Sequence, residues 1–249
     1  MSGPFMLDLA PGVHGVRDGF TNWYLVVDDD GATAIDAGLP ASWKLLEKLL
    51  DRIGRGLQDL RAVVLTHAHF DHVGFAEKAR KELGVPVWAH TREVDITRHP
   101  LRYPKERPIA LYAWMPQTLA IFARMGLSGA FFAPPIGEVR AYNDGDVLDV
   151  PGRPVVVPSF GHTPGHCALH LPDRDVLFVG DAFVMLDPYT GMRGPRLVAK
   201  AATADSRQAR ASLEALERID AGVALTGHGE PVRGGTAAAA AAARRATQY

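Results

Sequence analysis

The sequence predicts a layered α/β domain. Three observations carry that expectation: short apolar runs bounded by turn residues, segments of helical period between them, and histidines or aspartates placed just after several of the apolar runs. A chain of 249 residues can bury a core without covalent staples. Charge is close to balanced, 27 basic against 28 acidic residues, so neither nucleic acid nor an anionic membrane is expected as partner. One cysteine excludes an intrachain disulfide and any Cys₄ or Cys₂His₂ zinc site, while ten histidines leave nitrogen ligation open. MSGPFMLDLAPG has no basic stretch followed by an apolar one, so no signal peptide is expected and the cytoplasm is the expected compartment.

The elements follow in order. Residues 22–27 (NWYLVV) and 32–36 (ATAID) read as a hairpin around the DDDG turn at 28–31. After Ser42, Leu45, Leu46, Leu49, Leu50 and Ile53 recur at helical spacing, and Gly54 closes the run. Residues 62–65 (AVVL) are wholly apolar, as a strand covered on both faces is. A helix through 77–83 and a strand at 85–89 come next. Further strands are expected at 139–142, 155–158, 167–171, 176–179 and 223–225, with a helix over about 205–219. The alanine-rich tail from Gly235 is expected as a terminal surface helix, because alanine is the best helix former.

Residues 100–137 break this rhythm. They are rich in proline and apolar side chains, and Arg124 is the sole charge between Ile109 and Gly137. Pro116 and the polar Gln117, Thr118, Arg124 and Ser128 rule out a clean membrane span. A helical insert packed on the core, a lid over a site and a subunit interface that would make a homodimer all fit this composition.

The chemistry sits at strand ends. AVVLT is followed by His67, His69, Asp71 and His72; VVVPSFG by His162; VLFVG by Asp181; VALTG by His228. Open α/β sheets bind ligands at the carboxyl ends of their strands, so these seven side chains are expected to converge. Imidazole and carboxylate are the ligands of borderline divalent ions, and seven of them suffice for two metals with a shared carboxylate.

THAHFDH resembles the HxHxDH signature of the metallo-β-lactamase superfamily, and GHTPGH, VGDA and TGHG resemble its later motifs in the same order. Asp36-Ala37-Gly38 is similar to the family's early strand-end motif, and the resemblance runs from about Asn22 to Pro231. It implies a four-layer αβ/βα sandwich, two mixed sheets between helical layers. It further implies His67, His69 and His162 on one metal, Asp71, His72 and His228 on the other, and Asp181 between them. Two divalent ions are the implied cofactor, zinc first, with iron or manganese as alternatives. The implied reaction is hydrolysis of a carbonyl or phosphoryl centre by a hydroxide held between the metals, with Asp71 handling its proton.

Departures narrow the branch. An aspartate at 181 is unlike the true β-lactamases. Glyoxalase II is closer in its motifs but adds a C-terminal helical domain, for which residues 229–249 leave no room in this chain. Lactonases of the family carry a tyrosine three residues after the bridging aspartate, where Val184 stands here. The expected function is therefore hydrolysis of an ester-type bond (thioester, lactone or other carboxylic ester). The alternatives are a mononuclear iron oxygenase acting on a small persulfide and a phosphodiesterase of the same fold.

Pocket candidates are Phe70 and Phe183, which flank ligand motifs, and Tyr189, a phenol for an oxyanion. Trp114, Phe122, Phe131 and Phe132 of the insert are expected as an apolar wall for a hydrophobic small molecule. His166 is a candidate to orient a ligand. His90 and His170 are expected to be structural, Cys167 a buried small side chain, and Glu230 a surface group. The expected organisation is one domain, 1–249, with the insert at about 100–137.

Overall fold

The structure, a computed structural model, describes residues 3–249. A first sheet of seven strands holds β1 (Phe5–Ala10), β2 (Val13–Asp18), β3 (Thr21–Asp28), β4 (Gly31–Ile35), β5 (Leu60–Val64), β6 (Val87–His90) and β7 (Arg140–Tyr142), adjacent in sequence order. The first four strands run antiparallel, and β4 to β7 run parallel. The hairpin read from the sequence is β3–β4, its register closing at Asp28 opposite Gly31. Between the parallel strands lie α1 (Trp43–Arg52), α2 (Ala76–Leu83), α3 (Val94–Arg98) and α4 (Pro116–Leu127).

The second sheet runs in the order β14-β13-β10-β9-β8. Its strands are β8 (Val155–Pro158), β9 (Cys167–Leu171), β10 (Val176–Gly180), β13 (Val223–Thr226) and β14 (Val232–Arg233). A separate hairpin pairs β11 (Val184–Leu186) with β12 (Arg193–Arg196), and α5 (Ser206–Glu217) and α6 (Thr236–Arg245) complete the chain.

Alternation along the strands makes four layers, because successive strand side chains face opposite ways. In β5, Ala62 and Val64 enter the cluster between the two sheets, whereas Val63 packs with Leu46, Leu49 and Leu50 of α1. In β10, Val176 and Phe178 face the sheet interface, and Leu177 and Val179 face α5 and α6. Fully burying each of these leucines contributes roughly 1.5–3 kcal/mol, so the inter-layer clusters hold the sandwich together. Asp205 caps α5, its carboxylate accepting from Arg207 N and Gln208 N at 2.9 Å each.

The alanine-rich tail forms the terminal helix α6; its inner face, Ala239, Ala240 and Ala243, is buried against Leu213 and Leu216 of α5, because alanine lets two helices approach closely, while Ala238 and Arg245 are exposed. The strand expected at 85–89 begins at Val87, after Pro86. The sequence does not announce β1, β2, β11, β12, β14 or α3; β2 (VHGVRD), for one, interrupts its apolar residues with His14 and Gly15 and shows no clean alternation. Among the described residues, no helix is long and apolar enough to cross a membrane.

The insert holds α4, which opens on Pro116 at the first helical position, where a missing N–H costs nothing. It packs Ile121 and Met125 into the cluster under the first sheet. The opposite stripe, Leu119 and Leu127, faces outward with exposures of 58% and 87%.

Candidate metal centre

Each motif leaves the C-terminal end of a strand: 67–72 after β5, His162 after β8, Asp181 at the end of β10 and His228 after β13. One edge of the sandwich therefore collects side chains from both sheets. All seven are buried, none exposed by more than 5%. His67, His69 and His162 each offer a nitrogen within 4.8 Å of the others, and so do Asp71, His72 and His228 with their ligand atoms. Asp181 Oδ2 stands between the groups, 3.5 Å from His162 Nε2, 3.2 Å from His228 Nε2 and 3.9 Å from His72 Nε2.

The outer atoms of the imidazoles are held in a fixed order. His72 Nδ1 donates to Asp36 Oδ2 at 2.9 Å, and His228 Nδ1 to the Phe20 carbonyl at 2.9 Å. Thr66 Oγ1 donates to Asp36 and lies 3.0 Å from His67 Nδ1, which donates to it in turn. Each bond places the proton on Nδ1 and turns a lone pair on Nε2 inward. A third grouping, Asp36 with His67 and His72, is thereby spoken for: the Asp36 carboxylate already accepts from Thr66 N, Thr66 Oγ1 and His72.

The inner atoms show that divalent ions fit. His67 Nε2, His72 Nε2 and Asp181 Oδ1 are buried without a partner among the described residues, and an orphaned buried polar atom costs about 1–3 kcal/mol. Burial and the neighbouring imidazoles hold His67 and His69 well below the ordinary histidine range, so both are neutral donors. Burial also lowers His162, to about 4 despite Asp181. Burial pulls His72 down as well, but Asp71, Asp36 and Asp181 outweigh it and raise the group to about 10. Burial opposes ionisation of Asp181, yet His228, His72 and His162 outweigh it and hold the carboxyl well below its usual range. A metal would displace the second proton that the surrounding carboxylates favour on His72.

Two supporting residues tie the site to the scaffold. His166 Nε2 accepts from the Asp181 backbone N at 2.9 Å, so its Nδ1 carries the proton and meets Ser159 Oγ at 2.8 Å. His166, the candidate for orienting a ligand, thus braces the backbone at Asp181. Glu93, which the sequence did not single out, bridges two ligand loops: Oε2 accepts from Ala68 N at 2.8 Å and Oε1 from Gly165 N at 2.7 Å. Burial pushes its carboxyl up to about 7 against the pull of Thr163, Ala68 and Gly165. Glu93→Gln puts an amide donor against one of these N–H groups. Metal affinity at the His67/His69/His162 group is expected to fall about 10- to 100-fold with far-UV circular dichroism unchanged, measured by competition with a chromophoric chelator. Unaltered affinity would remove Glu93 from the site's support.

Over the ligands lies a narrow, partly open pocket in which a water-sized sphere has about 10 Å³ to move. His69, Asp71, Asp181 and His228 form its floor, with Phe70, Phe122, Met125, Pro188, Tyr189, Val198 and Ala202 around and above. Phe70, Phe122 and Tyr189 therefore border the space beside the ligands. Trp114 and Phe183 are not among the lining. Trp114 is 75% exposed and donates its indole N–H to its own loop at Leu111 O. Phe183 is fully buried, but in the cluster with Leu197 and Leu213 behind the site. Phe131 and Phe132 also face outward, 59% and 82% exposed. Tyr103, which no motif marked, lies with its ring 3.9 Å from that of His69.

The remaining candidates are structural. His90 Nε2 meets Asp144 Oδ1 at 2.9 Å, Cys167 is fully buried with its thiol pushed up by desolvation, and Glu230 pairs with Arg17 at 2.6 Å.

A family model described as the metallo-beta-lactamase superfamily matches residues 16–228. The probable metallo-hydrolase YflN of Bacillus subtilis (strain 168) is 30% identical, over 94% of this chain and 94% of its own. The hydroxyacylglutathione hydrolase GloC of Haemophilus influenzae is 29% identical over 64% of this chain and 65% of its own. Among solved structures, the metallo-beta-lactamase family protein TTHA1429 from Thermus thermophilus gives a TM-score of 0.67 at 25% identity, covering 94% of this chain and 78% of that one. TTHA1623, solved in a di-iron-bound form, gives 0.59 at 28% identity, covering 86% and 89%.

Proposed function

The chain belongs to the metallo-β-lactamase superfamily and is a metallo-hydrolase, and from that premise we propose that it is a dinuclear enzyme cleaving a carboxylic ester, thioester or lactone with a short apolar acyl group. The observation that carries this reading is the convergence of seven buried ligand side chains, among which His67 Nε2, His72 Nε2 and Asp181 Oδ1 lack partners among the described residues while His67, His72 and His228 are held by their outer nitrogens. His67, His69 and His162 would hold one ion, Asp71, His72 and His228 the other, with Asp181 shared. Bound there, two divalent ions, zinc in the first instance, supply a water of lowered pKa and polarise an acyl carbonyl.

The chain's own groups do the rest. Asp71 Oδ2 accepts from Thr21 Oγ1 at 3.2 Å and lies 3.4 Å from His228 Nε2, which fixes the carboxylate at the cavity floor. There it accepts the nucleophile's proton and returns it to the leaving oxygen or sulfur. Phe70, Phe122, Met125 and Val198 keep bulk water off the reacting carbonyl and favour an apolar acyl group. The narrow pocket, which Trp114, Phe131 and Phe132 do not extend, favours a short acyl group entering from its open side over a long chain. The name of GloC, a hydroxyacylglutathione hydrolase, supports an acyl substrate of the thioester class.

Protein purified without added metal is expected to hold about two zincs per chain and to hydrolyse acetyl and butyryl esters, thioesters or lactones, measured by elemental analysis and a chromogenic panel. One iron per chain with oxygen uptake on a persulfide would overturn the reading in favour of an oxygenase. Turnover confined to bis(p-nitrophenyl) phosphate would overturn it in favour of a phosphodiesterase.

A further inference from the structure

Tyr103 and Tyr189 meet at the cavity, hydroxyl to hydroxyl, 3.3 Å apart. Tyr189 is 4% exposed and lines the cavity beside Asp71, Asp181 and His228. Tyr103 comes from the insert and lays its ring on His69. Neither hydroxyl has another hydrogen-bond partner among the described residues. Two phenols carry two protons, and one shared bond uses one of them. The other O–H is left without an acceptor among the described residues, beside a narrow, mostly apolar pocket.

We propose that the Tyr103–Tyr189 pair is a binding site for one oxygen of an acyl group, with Tyr103 donating to Tyr189 and Tyr189 donating to the carbonyl or carboxylate oxygen in the cavity. This rests on the acyl-hydrolase reading above. The direction follows from placement: Tyr189 borders the cavity with the ligand carboxylates, whereas Tyr103 covers the side of His69. A hydroxyl that accepts one hydrogen bond donates a stronger one, so the pair is a better donor than a lone phenol.

The surroundings fix Tyr189 for the role. Its backbone N donates to Asp187 Oδ1 at 3.0 Å, and its carbonyl accepts from Thr118 Oγ1 of α4. Its ring packs edge-on against Phe122 at 5.4 Å and Tyr112 at 6.1 Å. The insert thus supplies both the partner phenol and the packing that aims the other. Tyr189 is the catalytic residue of the pair and Tyr103 a positioning residue.

The test uses zinc-loaded full-length protein, with butyrate as the binding probe and p-nitrophenyl butyrate as the substrate. Tyr189→Phe is expected to weaken butyrate about 10-fold by calorimetry and to lower kcat by on the order of 100-fold, with zinc content and melting temperature unchanged. Tyr103→Phe is expected to move both in the same direction but less. The double variant is expected to equal Tyr189→Phe, because Tyr103 acts only through its partner. Wild-type butyrate affinity and kcat in Tyr189→Phe would overturn the proposal, as would strictly additive losses in the double variant. If wild type binds butyrate but cleaves no ester, the enzymatic reading fails, and the affinity series still decides the binding site.

Discussion

Asp181→Asn is expected to lower turnover by on the order of 1000-fold and to strip metal from the protein while far-UV circular dichroism stays that of wild type. Asp181 is 3% exposed, and its Oδ2 lies within 4 Å of imidazole nitrogens of His162, His228 and His72. Among the described residues, no other carboxylate reaches all three. Asparagine keeps the shape and removes the charge, so two cations at the site would lose their shared anion. Elemental analysis with kcat measures the effect; full activity with two metals bound would refute the shared role.

The same variant has a pH signature in metal-free protein. The Asp181 carboxyl is depressed in the fold because His228, His72 and His162 outweigh the cost of burying it. Its contribution to stability is therefore present above the unfolded value of about 4 and is lost as pH falls toward the depressed folded value. Wild type is expected to unfold at higher denaturant than Asp181→Asn at pH 7, with the gap closing in acid.

Gly227→Ala is expected to damage the centre almost as much without altering any charge. A Cβ at Gly227 would lie 2.1 Å from Asp181 Oδ1 and 2.8 Å from His72 Cε1. Real Cβ atoms do not approach so closely, and both neighbours are buried, so one ligand must swing out of place. The backbone at Gly227 is not left-handed, so alanine adds no torsional strain of its own and the effect is steric. Overpacking costs about 1–3 kcal/mol of stability, and loss of at least one ion per chain is expected by elemental analysis. Gly84→Ala serves as a control: it sits at φ +69° with nothing within 4 Å of its Cβ. It is expected to cost stability by backbone strain while metal content stays at wild-type level. Two ions bound to Gly227→Ala with normal turnover would show that the loop yields freely.

The sequence carried the ligand candidates well because their signal is local. His67, His69, Asp71 and His72 fall within six residues, and each later ligand follows an apolar run that became β8, β10 or β13. The layered α/β class was legible for a related reason: whole apolar runs such as AVVL and VLFVG need cover on both faces, and helical periods lay between them, whereas the four-layer order was implied only by the resemblance to the family. Glu93 and Tyr103 had no such mark. Glu93 acts by reaching Ala68 and Gly165, and Tyr103 by lying on His69; both are relations between distant segments.

The misplaced residues teach the same point in reverse. Trp114, Phe131 and Phe132 were apolar and within the insert, which fixed their character but not their direction. Packing chose Phe122 and Met125 for the cavity and turned the other three outward. Phe183 lies two residues after Asp181, yet its ring enters the cluster behind the sheet.

By itself, then, the sequence determined the layered α/β class, the side chains that can ligate and the strand ends that carry them, since residue type and short-range period specify these. Only the tertiary structure decided which nitrogen of each histidine turns inward, which insert residue roofs the cavity, and that two phenols meet beside the ligands. Those are set by distances across the sandwich, which folding fixes through burial and which no local spacing encodes.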